Sequence, residues 1–213
     1  MRIALFGGSG RIGSCILREA VNRGHAVTVI TRHPDRVMAG TARVITGDAT
    51  DPLSVTASVA DHDAVISAVS GFGADDEPTL IVDAARALIQ GLRDAGVDRL
   101  LVVGGAGSLL TPEGVRLIDR PEFPEAWKPG SRAQIQALTV YREEATQLQW
   151  TYLSPADIIE PGERTGTFTL GNDEAVFDAD GQSRISTEDY AMALLDELEH
   201  PKHVGQRFTV GYA

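Results

Sequence analysis

Short apolar runs alternate with amphipathic segments from the first residue onward. Arg2–Phe6 reads RIALF and stops at glycines, the mark of a buried strand. In Arg11–Arg23 the residues Ile12, Ile16, Ala20 and Leu17, Val21 recur at helical spacing, and Gly24 stands where a helix C′ residue belongs. Ala26–Thr31 is β-branched and strand-like, and Ala42–Thr46 is a shorter strand before Gly47-Asp48. Asp51 caps a helix that Pro52 opens. Ala64–Val69 predicts a fourth strand and Leu100–Val103 a fifth. Between them Pro78–Ala95 predicts a helix, with Leu80, Ala84, Leu88 and Leu92 in one stripe and Gly96 ending it.

Strands that are continuous apolar runs and alternate with helices indicate a parallel sheet covered on both faces. The expected fold is doubly wound α/β of the Rossmann type. Beyond Val103 the pattern loosens. Ser108–Gly130 holds four prolines and reads as a long irregular excursion, of a length that is uncommon and often functional. Arg132–Gln147 predicts a helix, Trp150–Leu153 a sixth strand and Pro155–Arg164 a polar loop. Thr165–Leu170 and Glu174–Phe177 flank Gly171-Asn172-Asp173, which suggests a hairpin. Ser186 caps a helix from Thr187 to about Leu198, and Gln206–Val210 is a last strand. No repeat or low-complexity linker divides the chain, so one domain is expected, with a small substrate-side lobe over about 155–200.

Composition narrows the partners. Apolar residues at 43% and charged residues at 23% exclude a disordered or collagen-like chain. The net charge of -11 is unevenly spread: residues 1–100 carry 10 basic against 12 acidic groups, residues 101–213 carry 9 against 18. So acidic a half repels phosphodiester and anionic lipid, leaving a small molecule as the expected partner, with neither nucleic acid nor membrane. The acidic half reads as a solvated surface. With one cysteine, Cys15, there is no internal disulfide and no multi-cysteine metal site, and no histidine spacing suggests a metal. The absence of an 18-residue apolar run or signal-peptide pattern leads us to expect a cytoplasmic protein, monomer or homodimer.

The sharpest motif is Gly7-Gly8-Ser9-Gly10-Arg11-Ile12-Gly13, between the first strand and the first helix. That is the context of a dinucleotide fingerprint. Gly7 permits the tight turn, Gly10 lets a pyrophosphate approach the backbone, and Gly13 allows close helix–strand packing. The helix start then supplies free N–H groups and a partial positive charge. The second strand ends Ile30-Thr31-Arg32-His33 with no acid before Asp35. An acid there would take a ribose 2′-hydroxyl, whereas Thr31 and the forked guanidinium of Arg32 suit a 2′-phosphate. NADP(H) is favoured and NAD(H) stays open.

Five segments in order now carry a resemblance: GGSGRIG, TRHPDR, GDATD, SAVSG and, near the C-terminus, SRISTEDYA, followed by the closing RFTVG. Together they resemble the atypical short-chain dehydrogenase/reductases, in particular the NAD(P)H-binding group called NADH-flavin reductases, similar to biliverdin reductase B and NmrA-like regulators. The resemblance implies that Gly7, Ser9, Gly10, Arg11 and Ile12 line the pyrophosphate and that Arg32 meets the 2′-phosphate. It implies that Asp48 and Ala49 border the adenine and that Ala68, Val69 and Ser70 lie beside the nicotinamide ribose. It sets Val103-Gly104-Gly105 and Pro155-Ala156 around the nicotinamide, with segments 108–130 and 155–164 over its face. Phe123, Trp127 and Ala156 are then the expected acceptor contacts.

One expected feature is missing. Short-chain dehydrogenases resemble one another in a serine with a Tyr-x-x-x-Lys pair, yet only Lys128 and Lys202 are lysines and neither follows a tyrosine by four residues. Reducing a ketone needs an acid for the developing alkoxide, whereas a flavin spreads the charge and takes its proton from water. Hydride transfer to a flavin as substrate, not as prosthetic group, is therefore the expected chemistry, with Ser108 as the candidate catalytic hydroxyl. A dinucleotide-binding redox sensor without turnover fits the missing pair equally well. A nucleotide-sugar epimerase fits it least.

Overall fold

The chain order is β1 (Arg2–Phe6), α1 (Arg11–Asn22), β2 (Ala26–Thr31), β3 (Arg43–Thr46), α2 (Pro52–Val59), β4 (Ala64–Ser67), α3 (Leu80–Ala95) and β5 (Arg99–Val103). It continues with α4 (Lys128–Glu144), β6 (Gln149–Ser154), β7 (Ile158–Glu160), β8 (Thr169–Gly171), β9 (Arg184–Ser186), α5 (Thr187–Glu199) and β10 (Gln206–Gly211). The computed structural model describes residues 1–38, 40, 42–70 and 79–213. Gly71 and Pro78, which the sequence assigned to a motif and a helix start, lie outside the described residues.

The strands form one sheet in the order β3-β2-β1-β4-β5-β6-β10-β8, parallel throughout except for the antiparallel edge strand β8. This is the Rossmann-type fold that the alternation predicted. Register places Phe6 beside Ile30 on one side and Ser67 on the other, so β1, β2 and β4 end level with one another. Strand order reverses between β1 and β4, the point at which open α/β sheets bind ligands. Two cores follow from the alternating strand faces. Phe6, Val65, Leu100 and Tyr152 pack under α2, α3 and α4, while Leu5, Ile66, Leu101 and Phe208 pack under α1 and α5. Among the described residues no helix is long and apolar enough to cross a membrane.

Three expectations change. The helix expected from Arg132 starts at Lys128, inside the stretch read as irregular, because Pro129 falls in its first turn where a missing N–H is tolerated. The expected hairpin across Gly171-Asn172-Asp173 does not form. Strand β8 pairs with β10 instead, and Glu174 makes a single bridge to Leu110. The loop expected over 155–164 contains β7, which joins β9 in a separate two-stranded parallel sheet.

Candidate dinucleotide-binding site

The β1–α1 turn is built by glycines that serve different ends. Gly7 has a φ of +78°, and a Cβ there would lie 2.4 Å from the Ala68 carbonyl oxygen. Gly13 is just as constrained, since its Cβ would lie 2.0 Å from the Gly7 oxygen. Both are fixed by the protein's own packing. Gly10 is not: it has an ordinary φ of -78°, and the nearest atom to its Cβ position is the Gly7 oxygen at 3.4 Å. The space above Gly10 is a cradle that a side chain would fill and that no protein atom occupies. Gly10 also caps α1 without any side-chain hydrogen bond, and the first turn holds no acid, so its outward N–H groups and dipole are available to an anion. Ser9, Gly10 and Arg11 are exposed, Ile12 is half-buried, and Gly8 is buried against Val29. The residues present fit a dinucleotide pyrophosphate.

Toward β3, Thr31 ends β2 half-buried, its hydroxyl accepting from the His33 amide at 3.1 Å, and its carbonyl holds the Gly47 amide at 3.1 Å. That bond brings Gly47, Asp48 and Ala49 level with Arg32. Asp48 accepts from the Thr50 amide at 2.9 Å and hydroxyl at 2.7 Å. Burial pushes its carboxyl up, but the Thr50 bonds and the nearby Arg32 guanidinium outweigh it, so the pKa lies below the ordinary value. Arg32 itself is exposed.

Toward β6, Ala68 and Val69 are half-buried and Ser70 is exposed at the end of β4. Val103 and Gly104 are buried at the end of β5, with the Gly104 amide on the Leu153 carbonyl at 2.8 Å. Gly104 is a glycine because a Cβ would lie 2.0 Å from the Tyr152 ring. The Tyr152 hydroxyl donates to Gln134 Oε1 at 2.8 Å and receives the Gly105 amide at 3.3 Å, so one buried phenol ties β5, α4 and β6 together. Pro155 and Ala156 follow β6, both buried, and Ala156 packs into the α1–α5 core. Asp157 comes next, 3.8 Å from Arg120; burial raises its pKa, against the pull of Arg120.

Tyr152, Tyr190 and Tyr212 give their hydroxyls to partners within the fold, and Tyr141 is buried. Burial raises the pKa of Tyr141, Tyr152 and Tyr190, whose hydroxyl donates to the Leu153 carbonyl at 2.6 Å, while Tyr212 donates to Asp189 at 2.8 Å. Ser108 is half-buried and accepts from Arg207 at 3.2 Å. Phe123 is buried with Leu109, Leu117 and Ile118, and Trp127, half exposed, meets it edge-on with centroids 6.4 Å apart. Cys15 is packed between α1 and α5, with Sγ 3.4 Å from the Thr187 hydroxyl. Among the described residues no cluster of three metal-ligating side chains converges.

The candidate residues thus lie along the C-terminal ends of six adjacent strands, from Asp48 past β3 to Pro155 past β6, with the glycine turn at the switch point between them. Residues 7–201 match the NAD(P)H-binding family. The chain belongs to that family. An uncharacterized Bacillus subtilis protein, YwnB, is 44% identical over 99% of this chain and 98% of its own length. A Burkholderia pseudomallei structure named an exported protein is 42% identical, covers both chains fully and superposes with a TM-score of 0.89. A Streptococcus pneumoniae structure named "a putative NADH-flavin reductase" is 36% identical with full coverage of both and a TM-score of 0.88. A Bacteroides thetaiotaomicron structure named "the putative epimerase" is 40% identical over 99% of this chain and 96% of that one, with a TM-score of 0.90. The superpositions agree on the fold, and the names differ on the chemistry.

For this NAD(P)H-binding chain, sequence reasoning missed the carboxylates that hold the loops around the crevice. Asp189 is fully buried, accepting the Gly166 amide at 2.9 Å and the Thr165 and Tyr212 hydroxyls. Glu19 grips Arg164 through two bonds at 2.8 and 2.9 Å and also takes Arg23 at 2.8 Å. Glu188 accepts the Gly162 amide at 2.9 Å. Most acids of the half read as solvated surface are exposed, but Asp189 and Glu197 are buried. The available signal was Asp189 in the segment SRISTEDYA, three residues after the capping Ser186, where a merely dipole-compensating acid and a loop anchor look alike.

Proposed function

We propose that the protein is an NADPH-dependent oxidoreductase that passes hydride to a flavin or another conjugated acceptor bound as substrate. The observation that carries this reading is the β5–β6 end of the crevice, which presents glycine backbone and Ser108 while every tyrosine is buried or hydrogen-bonded elsewhere. Bound NADPH supplies the hydride. An acceptor whose reduced form spreads its charge takes the accompanying proton from water, so the chain has only to hold two flat rings face to face and limit solvent between them. Ser108 already accepts from Arg207, which leaves its hydroxyl hydrogen for the acceptor or the carboxamide. The name of the Streptococcus pneumoniae relative supports the flavin, and the glycine turn supports the nucleotide.

The choice of NADPH rests on Thr31 and Arg32 and on the lack of an acid at the end of β2. Arg32→Ala is expected to weaken NADPH binding about ten-fold, the scale of one charged hydrogen-bonding contact, and to leave NADH binding unchanged. Tighter binding of NADH than NADPH in the native protein, unaffected by that substitution, would remove the preference. Turnover is tested by mixing protein, NADPH and FMN or FAD and following absorbance at the NADPH band. No oxidation with flavins or quinones, together with tight dinucleotide binding and a specific protein partner, would replace the enzyme by a redox sensor.

A further inference from the structure

Outside the strand ends, a cavity of about 390 Å³ lies between α4 and residues 116–119, lined by Arg116, Ile118, Asp119, Lys128, Arg132 and Ile135. Three of its six lining residues are cations, in a half of the chain that carries 18 acids against 9 bases. Such a concentration of like charge runs against the field of the surrounding surface. Arg116 is balanced by Asp119 at 2.6 Å and Lys128 by Glu125. Arg132 has no hydrogen-bond or ion-pair partner among the described residues, although it projects from the first turns of α4 on the same side as Lys128, one helical turn earlier. The start of that 17-residue helix adds its own partial positive charge, with no acid in the first turn and no side-chain cap. Ile118 and Ile135 supply an apolar wall, and Asp119, paired with Arg116, completes a lining that is mainly polar.

The cavity opens close to the crevice. The Ile118 amide donates to the Gly107 carbonyl at 3.0 Å, and Gly107 follows Gly104 by three residues, a reach of at most about 10 Å. Trp127, half exposed, immediately precedes Lys128. An acceptor lying over the β5 end therefore has a cavity carrying three cations within the length of a short chain.

Resting on the flavin reading above, we propose that this cavity binds the phosphomonoester tail of the acceptor through Arg132 and Lys128, so that FMN and not riboflavin is the fitting flavin. A guanidinium takes two phosphate oxygens at once, which a flexible surface arginine does not do without a site to hold it. At 390 Å³ the cavity is at the small end for ligand sites, suited to a phosphate and the few atoms before it, while the ring stays outside.

The test is binding of FMN and riboflavin to the protein saturated with NADP+, read by flavin fluorescence, in the native chain and in Arg132→Ala and Lys128→Gln. Alanine at an exposed helical position favours the helix, so folding is preserved. FMN is expected to bind about ten-fold tighter than riboflavin, with Arg132→Ala erasing the difference and leaving NADP+ affinity unchanged. Equal binding of the two flavins, or a preference that survives both substitutions, overturns the proposal; so does a parallel loss of NADP+, which would assign the cations to the cofactor. Phenyl phosphate, titrated by chemical-shift change, separates the two readings. If flavins are not reduced yet phenyl phosphate binds in an Arg132-dependent way, the anion site stands and the flavin reading falls. If flavins are reduced and phenyl phosphate does not bind, the reverse holds.

Discussion

Gly10 and Gly13 sit three residues apart in one turn, and the geometry assigns them opposite consequences. At Gly13 a Cβ would stand 2.0 Å from the Gly7 oxygen, 2.8 Å from its carbonyl carbon and 3.1 Å from the Gly8 Cα, all backbone atoms that cannot rotate away. Gly13→Ala must therefore push α1 off β1. Overpacking of this kind costs about 3 kcal/mol, which for a chain of this length lowers Tm by roughly 10 °C. At Gly10 the backbone is one that alanine adopts, and the single neighbour at 3.4 Å is at ordinary contact distance. Gly10→Ala loses a little as a helix cap and gains a little from the stiffer unfolded chain, so its stability should stay within about 1 kcal/mol of native. The added methyl instead fills the space above the first turn where a pyrophosphate comes against the backbone. A steric penalty of about 1–3 kcal/mol there weakens NADPH binding by roughly 5- to 150-fold. Thermal unfolding by circular dichroism and NADPH titration by fluorescence measure the two effects separately. Native-like NADPH affinity in Gly10→Ala would refute the assignment of that cradle to the ligand. A Tm loss as large as that of Gly13→Ala would show that the turn, and not the ligand, demands the glycine.

Two carboxyls give pH predictions of opposite sign. The bonds from Arg164, more than those from Arg23, overcome burial and lower the Glu19 pKa from 4.5 to about 2. The contribution is full above the unfolded value of 4.5 and lost as pH falls toward 2; at face value it is about 3 kcal/mol, and with Arg164 half exposed it comes to about 2. Glu19→Gln should lower Tm by several degrees at pH 7, and the gap to the native protein should close as pH falls below 4.5. Asp157 behaves in reverse: burial raises its pKa despite Arg120, so its ionised form is disfavoured in the folded state. Stability from this group is greatest below the ordinary value of 3.8 and declines as pH rises through the raised one. Asp157→Asn should raise Tm slightly at pH 7 and not at pH 3.5, and a lower Tm at pH 7 would mean that the Arg120 contact outweighs desolvation.

What could be read from the chain divides by sequence separation. The β1–α1 turn was legible because most of what fixes it is local: an apolar run, four glycines and a helix start within residues 2–13, with Val29, Ala68 and Val69 coming from elsewhere. The parallel sheet followed from the alternation of apolar runs with amphipathic segments, while its strand order came only with the structure. The hairpin at Gly171 failed because β8 finds its partner nearly forty residues later in β10, while Asp173 is drawn to Arg207 and the next residues to Leu110. A turn signal specifies a bend and says nothing of which strand the next segment will meet. The glycines at 104 and 105 were read as room for a nicotinamide, yet the Tyr152 ring and the Gln134 side chain already require them. No local pattern could reveal that, since the demand comes from residues thirty and fifty positions away.

The shortage of lysine has a structural cause beside its bearing on mechanism. Arg164 makes two bonds to Glu19, and Arg23 joins Glu19 to Asp196, Glu199 and the Met192 carbonyl. Buried Arg99 joins the Gln149 carbonyl, Thr151 and Glu197, and buried Arg207 joins Asp173 to Ser108. Each needs several donors in a fixed plane, which a guanidinium offers and an ammonium does not. Their partners are the acids that looked like surface charge, and Glu197, Glu188 and Asp189 further hold the backbone amides of His203, Gly162 and Gly166. A few of the acids therefore serve as internal clamps, while most of the acidic half stays exposed. The low lysine count cannot by itself argue for or against catalysis; what bears on mechanism is position. No lysine follows a tyrosine by four residues; burial raises the pKa of Tyr141, Tyr152 and Tyr190, and the half-buried Tyr212 gives its hydroxyl to Asp189. On the reading proposed above, the acceptor takes its proton from water and not from a tyrosine.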